Sequence, residues 1–226
     1  MAAKVAVIRF PGTNCEFDVV EALRDLGADA EVVFHDATSL PGVDAVVVAG
    51  GFAHGDYLRP GAIARFSPVM SAVSDLAAAG GPVVGICNGF QVLTEAHLLP
   101  GALQKNAGLA FRCEMVDLVV ASSASVLTSE AEVGQVLRIP INHFEGNYTC
   151  SPDTLAELRA EDRIVLRYAD NPNGSVDDIA GICNEGRNVV GLMPHPERAS
   201  HELLGSTDGR VLLRSLLVSA GAGVGA

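Results

Sequence analysis

The chain has 226 residues, 49% of them hydrophobic, which is enough for one sizeable buried core. A formal net charge of −12 argues against nucleic acid or an anionic membrane surface as the main partner, because both call for a basic footprint. Five cysteines without a Cys-x-x-Cys pair argue against a disulfide framework and fit a reducing, cytoplasmic setting.

The first residues, Met1 to Arg9, are too short and too soon charged for a secretory signal, and no apolar run approaches membrane-spanning length. Val5 to Arg9 reads as a buried strand. Thr13 and Glu16 match a capping box that opens a helix through Leu26, stopped by Gly27. Ala30 to His35 is a second strand and Asp44 to Ala49 a third, ending at Gly50-Gly51-Phe52. A helix is predicted over 62–79, broken by Gly80-Gly81-Pro82. Apolar, non-alternating strands separated by helices indicate a parallel sheet covered on both faces.

Pro82 to Ile86 then runs as a strand into Gly85-Ile86-Cys87-Asn88-Gly89, and Phe90 to Leu93 leads out as a helix. This is a nucleophile elbow with a thiol at its apex. The turn exposes the sulfur, the flanking glycines permit close strand–helix packing, and the helix N-terminus favours negative charge there. Cys15, Cys113, Cys150 and Cys183 read instead as small hydrophobes.

After Phe111 the texture changes to strands over 111–121, 135–143, 164–168, 179–184 and 188–193, with a hairpin turn at Asn184-Glu185-Gly186-Arg187. Ser151-Pro152-Asp153 is a helix start, with Ser at the cap and Pro in the first turn. A last helix covers 210–217, followed by a fraying tail of small residues. No linker, repeat or charge block interrupts the chain, so one domain over 1–226 is expected.

A cysteine nucleophile needs a base, and the base an orienting group. Met193-Pro194-His195-Pro196-Glu197 offers both. If the prolines hold this stretch extended, His195 and Glu197 point the same way and the carboxylate fixes the imidazole. The elbow supplies one oxyanion donor, the N–H of Asn88, and the glycine turn Gly50-Gly51-Phe52 is the candidate for the second. No Walker-type phosphate loop is present, the tail Gly221 to Ala226 cannot open a dinucleotide-binding helix, and His143, His195 and His201 lack zinc-site spacing. No metal site is expected.

Cys87, His195 and Glu197 in these settings resemble the class I, or triad, glutamine amidotransferases. Phe10 to Cys15, Gly50 to Phe52, His54 to Arg59, Gly61 to Phe66, Gly85 to Gln91, Glu145 to Tyr148, Asn173 to Gly181 and Met193 to Arg198 make the chain similar to one branch of them. That branch is the small, stand-alone glutaminase subunits serving bacterial phosphoribosylformylglycinamidine synthesis. Pro60 departs from the branch's pattern. The resemblance implies a three-layer, flavodoxin-like α/β fold with a mostly parallel central sheet and extra antiparallel strands. It implies Cys87 as nucleophile with His195 and Glu197, and L-glutamine bound against Gly51 and Phe52 and near Asn88 and Gln91. It further implies no cofactor in this subunit, ATP and Mg in a large synthetase partner, and a small third subunit in the assembly. Rival readings are another class I amidotransferase subunit feeding a different synthetase, and a non-catalytic assembly subunit. A cysteine hydrolase with His directly after the nucleophile is disfavoured, because Asn88 stands there.

Overall fold

The computed structural model describes residues 2–221; the predicted fraying of the tail from Ala222 onward falls outside the described residues. The first half alternates strand and helix: β1 (Lys4–Arg9), α1 (Glu16–Asp25), β2 (Asp29–Phe34), β3 (Ala45–Val48), α2 (Val69–Ala78), β4 (Val83–Ile86) and α3 (Asn88–Glu95). The second half is strand-rich: β5 (Ala102–Gln104), β6 (Arg112–Val120), β7 (Val136–His143), β8 (Asn147–Thr149), α4 (Pro152–Ala160), β9 (Ile164–Tyr168), β10 (Ile179–Cys183), β11 (Val189–Leu192) and α5 (Gly209–Ser219). Nine strands form one sheet in the order β2-β1-β3-β4-β11-β10-β9-β6-β7. The first five are mutually parallel and the last four join antiparallel. Every residue of β3, β4, β10 and β11 is buried, so the middle of the sheet is covered on both faces. This is the expected mixed α/β architecture, with the antiparallel strands extending the main sheet. Among the described residues no helix is long and apolar enough to cross a membrane.

The order β2-β1-β3-β4 is that of a doubly wound sheet whose direction of winding reverses between β1 and β3, and such sheets place ligands beyond the carboxyl ends of their strands. Those ends carry Phe10 to Cys15 after β1, Gly50 to Asp56 after β3, Cys87 after β4 and Met193 to Glu197 after β11. Register does the rest. β4 and β11 pair in parallel with Ile86 opposite Leu192, so the residues that follow each strand emerge side by side.

Two local expectations need correction, and one element was not expected. The Thr13–Glu16 capping box does not form: Thr13 Oγ1 accepts the Phe10 N–H at 3.0 Å, and Glu16 pairs with Arg9 at 3.0 Å. Both side chains are turned back to residues that precede the helix, Thr13 to the end of β1 and Glu16 to Arg9, and neither is left for the cap. The helix expected over 62–79 starts only at Val69, because Pro68 holds Ser67 extended and leaves a 3₁₀ turn, Ala64–Phe66, before it. The two-stranded ribbon of β5 and β8 has three residues a side, too few for a periodic pattern. By contrast, Ser151 caps α4 as its sequence indicates, its Oγ accepting the Thr154 N–H at 3.1 Å.

Both elbow glycines are sites of close approach. A Cβ on Gly85 would lie 2.6 Å from the Gly89 carbonyl oxygen and from Leu93 Cδ1, and one on Gly89 would drive into the Val48 carbonyl. Alanine at 89 would gain about 1 kcal/mol of helix propensity, but overlap with a backbone carbonyl has no rotamer that relieves it. Gly89→Ala is expected to lose about 1–3 kcal/mol of stability overall, read as a lower denaturant midpoint at unchanged slope.

Candidate active site

Cys87 sits between β4 and α3 with φ +51° and ψ −107°, a conformation that a residue with a Cβ adopts only under constraint from its surroundings. Here the constraint is visible. The Cys87 N–H donates to the Leu192 carbonyl at 2.8 Å, continuing the ladder of the neighbouring strand. Its own carbonyl accepts the N–H groups of Phe90 and Gln91 at 3.0 and 3.2 Å, starting the helix. The thiol is buried and lies 3.7 Å from the Asn142 carbonyl oxygen.

His195 reaches the same place from β11. Its N–H donates to the Pro140 carbonyl at 2.9 Å, and the chain then enters a 3₁₀ turn, Pro196–Ala199. The expected pairing is present: His195 Nδ1 and Glu197 Oε1 are 2.6 Å apart, both side chains fully buried. The backbone that achieves it is a turn rather than the extended stretch expected, with Pro196 at its first position. Glu197 accepts at Nδ1, so the Nδ1 proton is fixed there and Nε2, buried and without a hydrogen-bond partner, is the atom free to exchange a proton. Burial works against charge on the imidazole, but the Glu197 carboxylate and negative charge on the Cys87 sulfur outweigh it and raise its pKa well above the ordinary value.

A cavity of about 260 Å³ opens onto these groups, lined also by Gly51, Phe52, Gln91 and the stretch Asn142 to Glu145. The Gly50-Gly51-Phe52 turn is tighter than its sequence implies. Gly51 has φ +141°, and a Cβ there would lie 2.7 Å from the Asn14 nitrogen. The Phe52 N–H is committed to the Gly12 carbonyl at 3.0 Å, so Phe52 meets the cavity through its half-exposed ring, whereas the Gly51 N–H makes no bond among the described residues. Asn88 ties the wall together. Its Oδ1 accepts the Ala53 N–H at 2.9 Å, and its Nδ2 donates to Asp56 at 3.0 Å and to Gln91 Oε1 at 2.8 Å. Gln91 Nε2 in turn donates to the Glu145 carbonyl at 2.5 Å.

Several residues here were given no role in the site by the sequence. Cys15, read as core filling, lines the cavity, and its sulfur accepts from Arg198 Nη2 at 3.1 Å. Donor atoms of Cys15, His195 and Glu197 lie within 4.8 Å of one another. Arg198 on the sulfur and the short His195–Glu197 bond already occupy that set, which suits a hydrogen-bonded site better than a cation. His143 is held by Asn106. The Asn106 amide nitrogen donates to the Ala110 and His143 carbonyls, and its Oδ1 faces His143 Nδ1 at 3.1 Å. That arrangement places the proton on Nδ1. Burial, with His195 nearby, pushes the His143 pKa down to about 4, so the ring is neutral at pH 7. For Asp56, burial raises the pKa to about 6, the Asn88 hydrogen bond opposing and Glu145 reinforcing the shift.

A strained cysteine at a strand–helix elbow and a buried histidine–glutamate pair thus open onto one cavity at the ends of adjacent strands of a doubly wound sheet, the arrangement expected of a triad glutamine amidotransferase. The model of the CobB/CobQ-like glutamine amidotransferase domain matches residues 2–210, and the chain belongs to that family. It is 55% identical over 96% of its length to a Rubrobacter xylanophilus protein, phosphoribosylformylglycinamidine synthase subunit PurQ, covering 99% of that protein. It is 57% identical to the Cereibacter sphaeroides subunit of the same name, over 95% of this chain and 97% of the other. A chain in the solved PurLQS structure from Thermotoga maritima superimposes with a TM-score of 0.90 at 40% identity, covering 96% of this chain and 99% of that one.

The charge on His195 gives a direct test of the pairing. In Glu197→Gln the carboxylate that raises the imidazole pKa is gone, so His195 is expected to titrate at lower pH than in the native chain, read from its ring proton shifts by NMR. An unchanged titration would contradict the assigned cause.

Proposed function

We propose that this chain is the glutaminase subunit of a phosphoribosylformylglycinamidine synthase, acting as one domain over 1–226. The observation that carries the proposal is the meeting of Cys87 with His195–Glu197 at one cavity, in a chain whose near-full-length relatives bear that synthase's name. The Cys87 sulfur, as thiolate, attacks the side-chain amide carbon of L-glutamine. The carbonyl oxygen becomes an oxyanion, received by the N–H groups of Asn88 and Gly51. His195 passes a proton from Nε2 to the leaving nitrogen, the C–N bond breaks, and ammonia departs. Water then gives a proton to His195 and its hydroxide attacks the γ-glutamyl thioester. Glutamate leaves and the thiol is restored. Glu197 keeps the imidazole in the orientation and tautomer both steps use. Phe52 and Gln91 shape the glutamine site.

Each of these steps uses only side chains and backbone, so no metal or cofactor is assigned to this subunit. The acceptor chemistry belongs to a large synthetase subunit holding ATP and Mg. It converts formylglycinamide ribonucleotide to formylglycinamidine ribonucleotide with ammonia passed directly, because ammonia released into bulk water at pH 7 becomes ammonium and ceases to be a nucleophile. A small third subunit completes the assembly. The reducing cytosol suits a site with two thiols in it.

Cys87→Ala separates the two halves of this account. In the assembled synthase it is expected to cut glutamine-dependent synthesis by at least about a thousandfold while ammonia-dependent synthesis persists. Loss of both activities with the assembly intact would place Cys87 in the acceptor chemistry instead, and loss of neither would leave this chain a non-catalytic assembly subunit.

A further inference from the structure

Away from Cys87 and His195, the cavity is lopsided in charge. Asp56 and Glu145 both line it, and no Lys or Arg does. Asp56 has no ion-pair partner among the described residues, and the nearby Arg59 is engaged by Glu95 at 2.8 Å. One Asp56 oxygen accepts from Asn88, the residue next to the nucleophile, while the other makes no hydrogen bond among the described residues. Its backbone is held in place at a cost: His54, Gly55 and Asp56 have φ of +53°, +71° and +53° in succession. Such a run persists only where the surroundings over-determine it. Asn88 supplies part of that restraint by holding both the Ala53 N–H and the Asp56 carboxylate.

Glutamine has one cationic group, its α-ammonium, separated from the amide carbon by a short flexible chain. We infer that Asp56 is a specificity-determining residue, receiving the α-ammonium of glutamine while the side-chain amide lies against Cys87. The inference rests on the glutaminase reading above and names the part of the substrate that reading leaves unassigned. Asn88 couples the two ends: its N–H faces the developing oxyanion and its side chain aims the carboxylate. Gln91, bridging Asn88 and the Glu145 carbonyl, fixes the spacing between the two acidic walls. A carboxyl that burial pushes up to about 6 gains from a cation placed beside it.

The test compares glutamine with glutaramate, the same amide without the α-amino group, in the assembled synthase. The readout is kcat/KM for release of glutamate or glutarate. The native enzyme should prefer glutamine strongly. In Asp56→Asn, which keeps the size and the acceptor for Asn88, that preference should shrink by about ten- to a hundredfold, the scale of one charged hydrogen bond. Asp56→Glu should restore part of it. A purely structural role would slow both substrates together and leave the ratio unchanged, which would overturn the inference. So would an unchanged ratio with the loss in kcat alone, which would assign Asp56 to the departing ammonia shared by both substrates. A native enzyme that releases neither product would refute the glutaminase reading itself, a result distinct from either.

Discussion

The structure turns on the parallel pairing of β4 with β11. Ile86 opposite Leu192 sets the levels at which the two chains leave the sheet, and the Cys87 N–H to Leu192 carbonyl bond extends that ladder one step past the strand. This bond helps hold Cys87 in its strained conformation. The same pairing brings Met193 and then His195 alongside. A slip of register by one residue would turn every side chain of β11 to the opposite face and carry His195 away from the sulfur. Gly191 belongs to the same constraint, since a Cβ there would run into the Phe90 ring, which stacks on Tyr148 with centroids 5.8 Å apart. Nucleophile, helix and base are thus positioned by one strand pair and its packing.

Around that frame the electrostatics divide the labour among groups of similar type. Three imidazoles or carboxyls near the cavity are moved in different directions. His195 is driven toward its charged form by Glu197, His143 toward its neutral form by burial, and Asp56 upward by burial and Glu145. The pattern follows from partners. His195 has a carboxylate at 2.6 Å, His143 has only a neutral amide, and Asp56 has an amide donor and a like charge. Separation of pKa values among neighbouring groups is what lets one site hold a proton on one residue and accept hydrogen bonds on another.

The sequence revealed the parts of this site that are local. The elbow announces itself because glycines, strand and helix start all fall within a few residues, and His195 and Glu197 are two apart. The strands were legible because apolar runs between turn signals leave few other readings. What was hidden depends on distance along the chain. Cys15 looks like a core residue until Arg198, 183 positions away, is seen on its sulfur. Asp56 acquires meaning only through Asn88, 32 positions on, and His143 only through Asn106. The capping box at Thr13 and Glu16 failed over a short distance instead, since Thr13 turns back to the Phe10 N–H and Glu16 to Arg9. The overlong helix was a different error. Pro68 lies inside the expected range, and a proline there disfavours helical backbone at Ser67.

The central claim is that the cavity binds glutamine against an activated thiol at Cys87. A glutamine-like chloroketone, incubated with the assembled synthase and followed by mass spectrometry, tests it most directly, with iodoacetamide as the unselective control. The account predicts an adduct on Cys87 that free glutamine prevents, with Cys15 and the exposed Cys113 unlabelled. Labelling spread over the cysteines by exposure, or a Cys87 adduct that glutamine does not block, would contradict it.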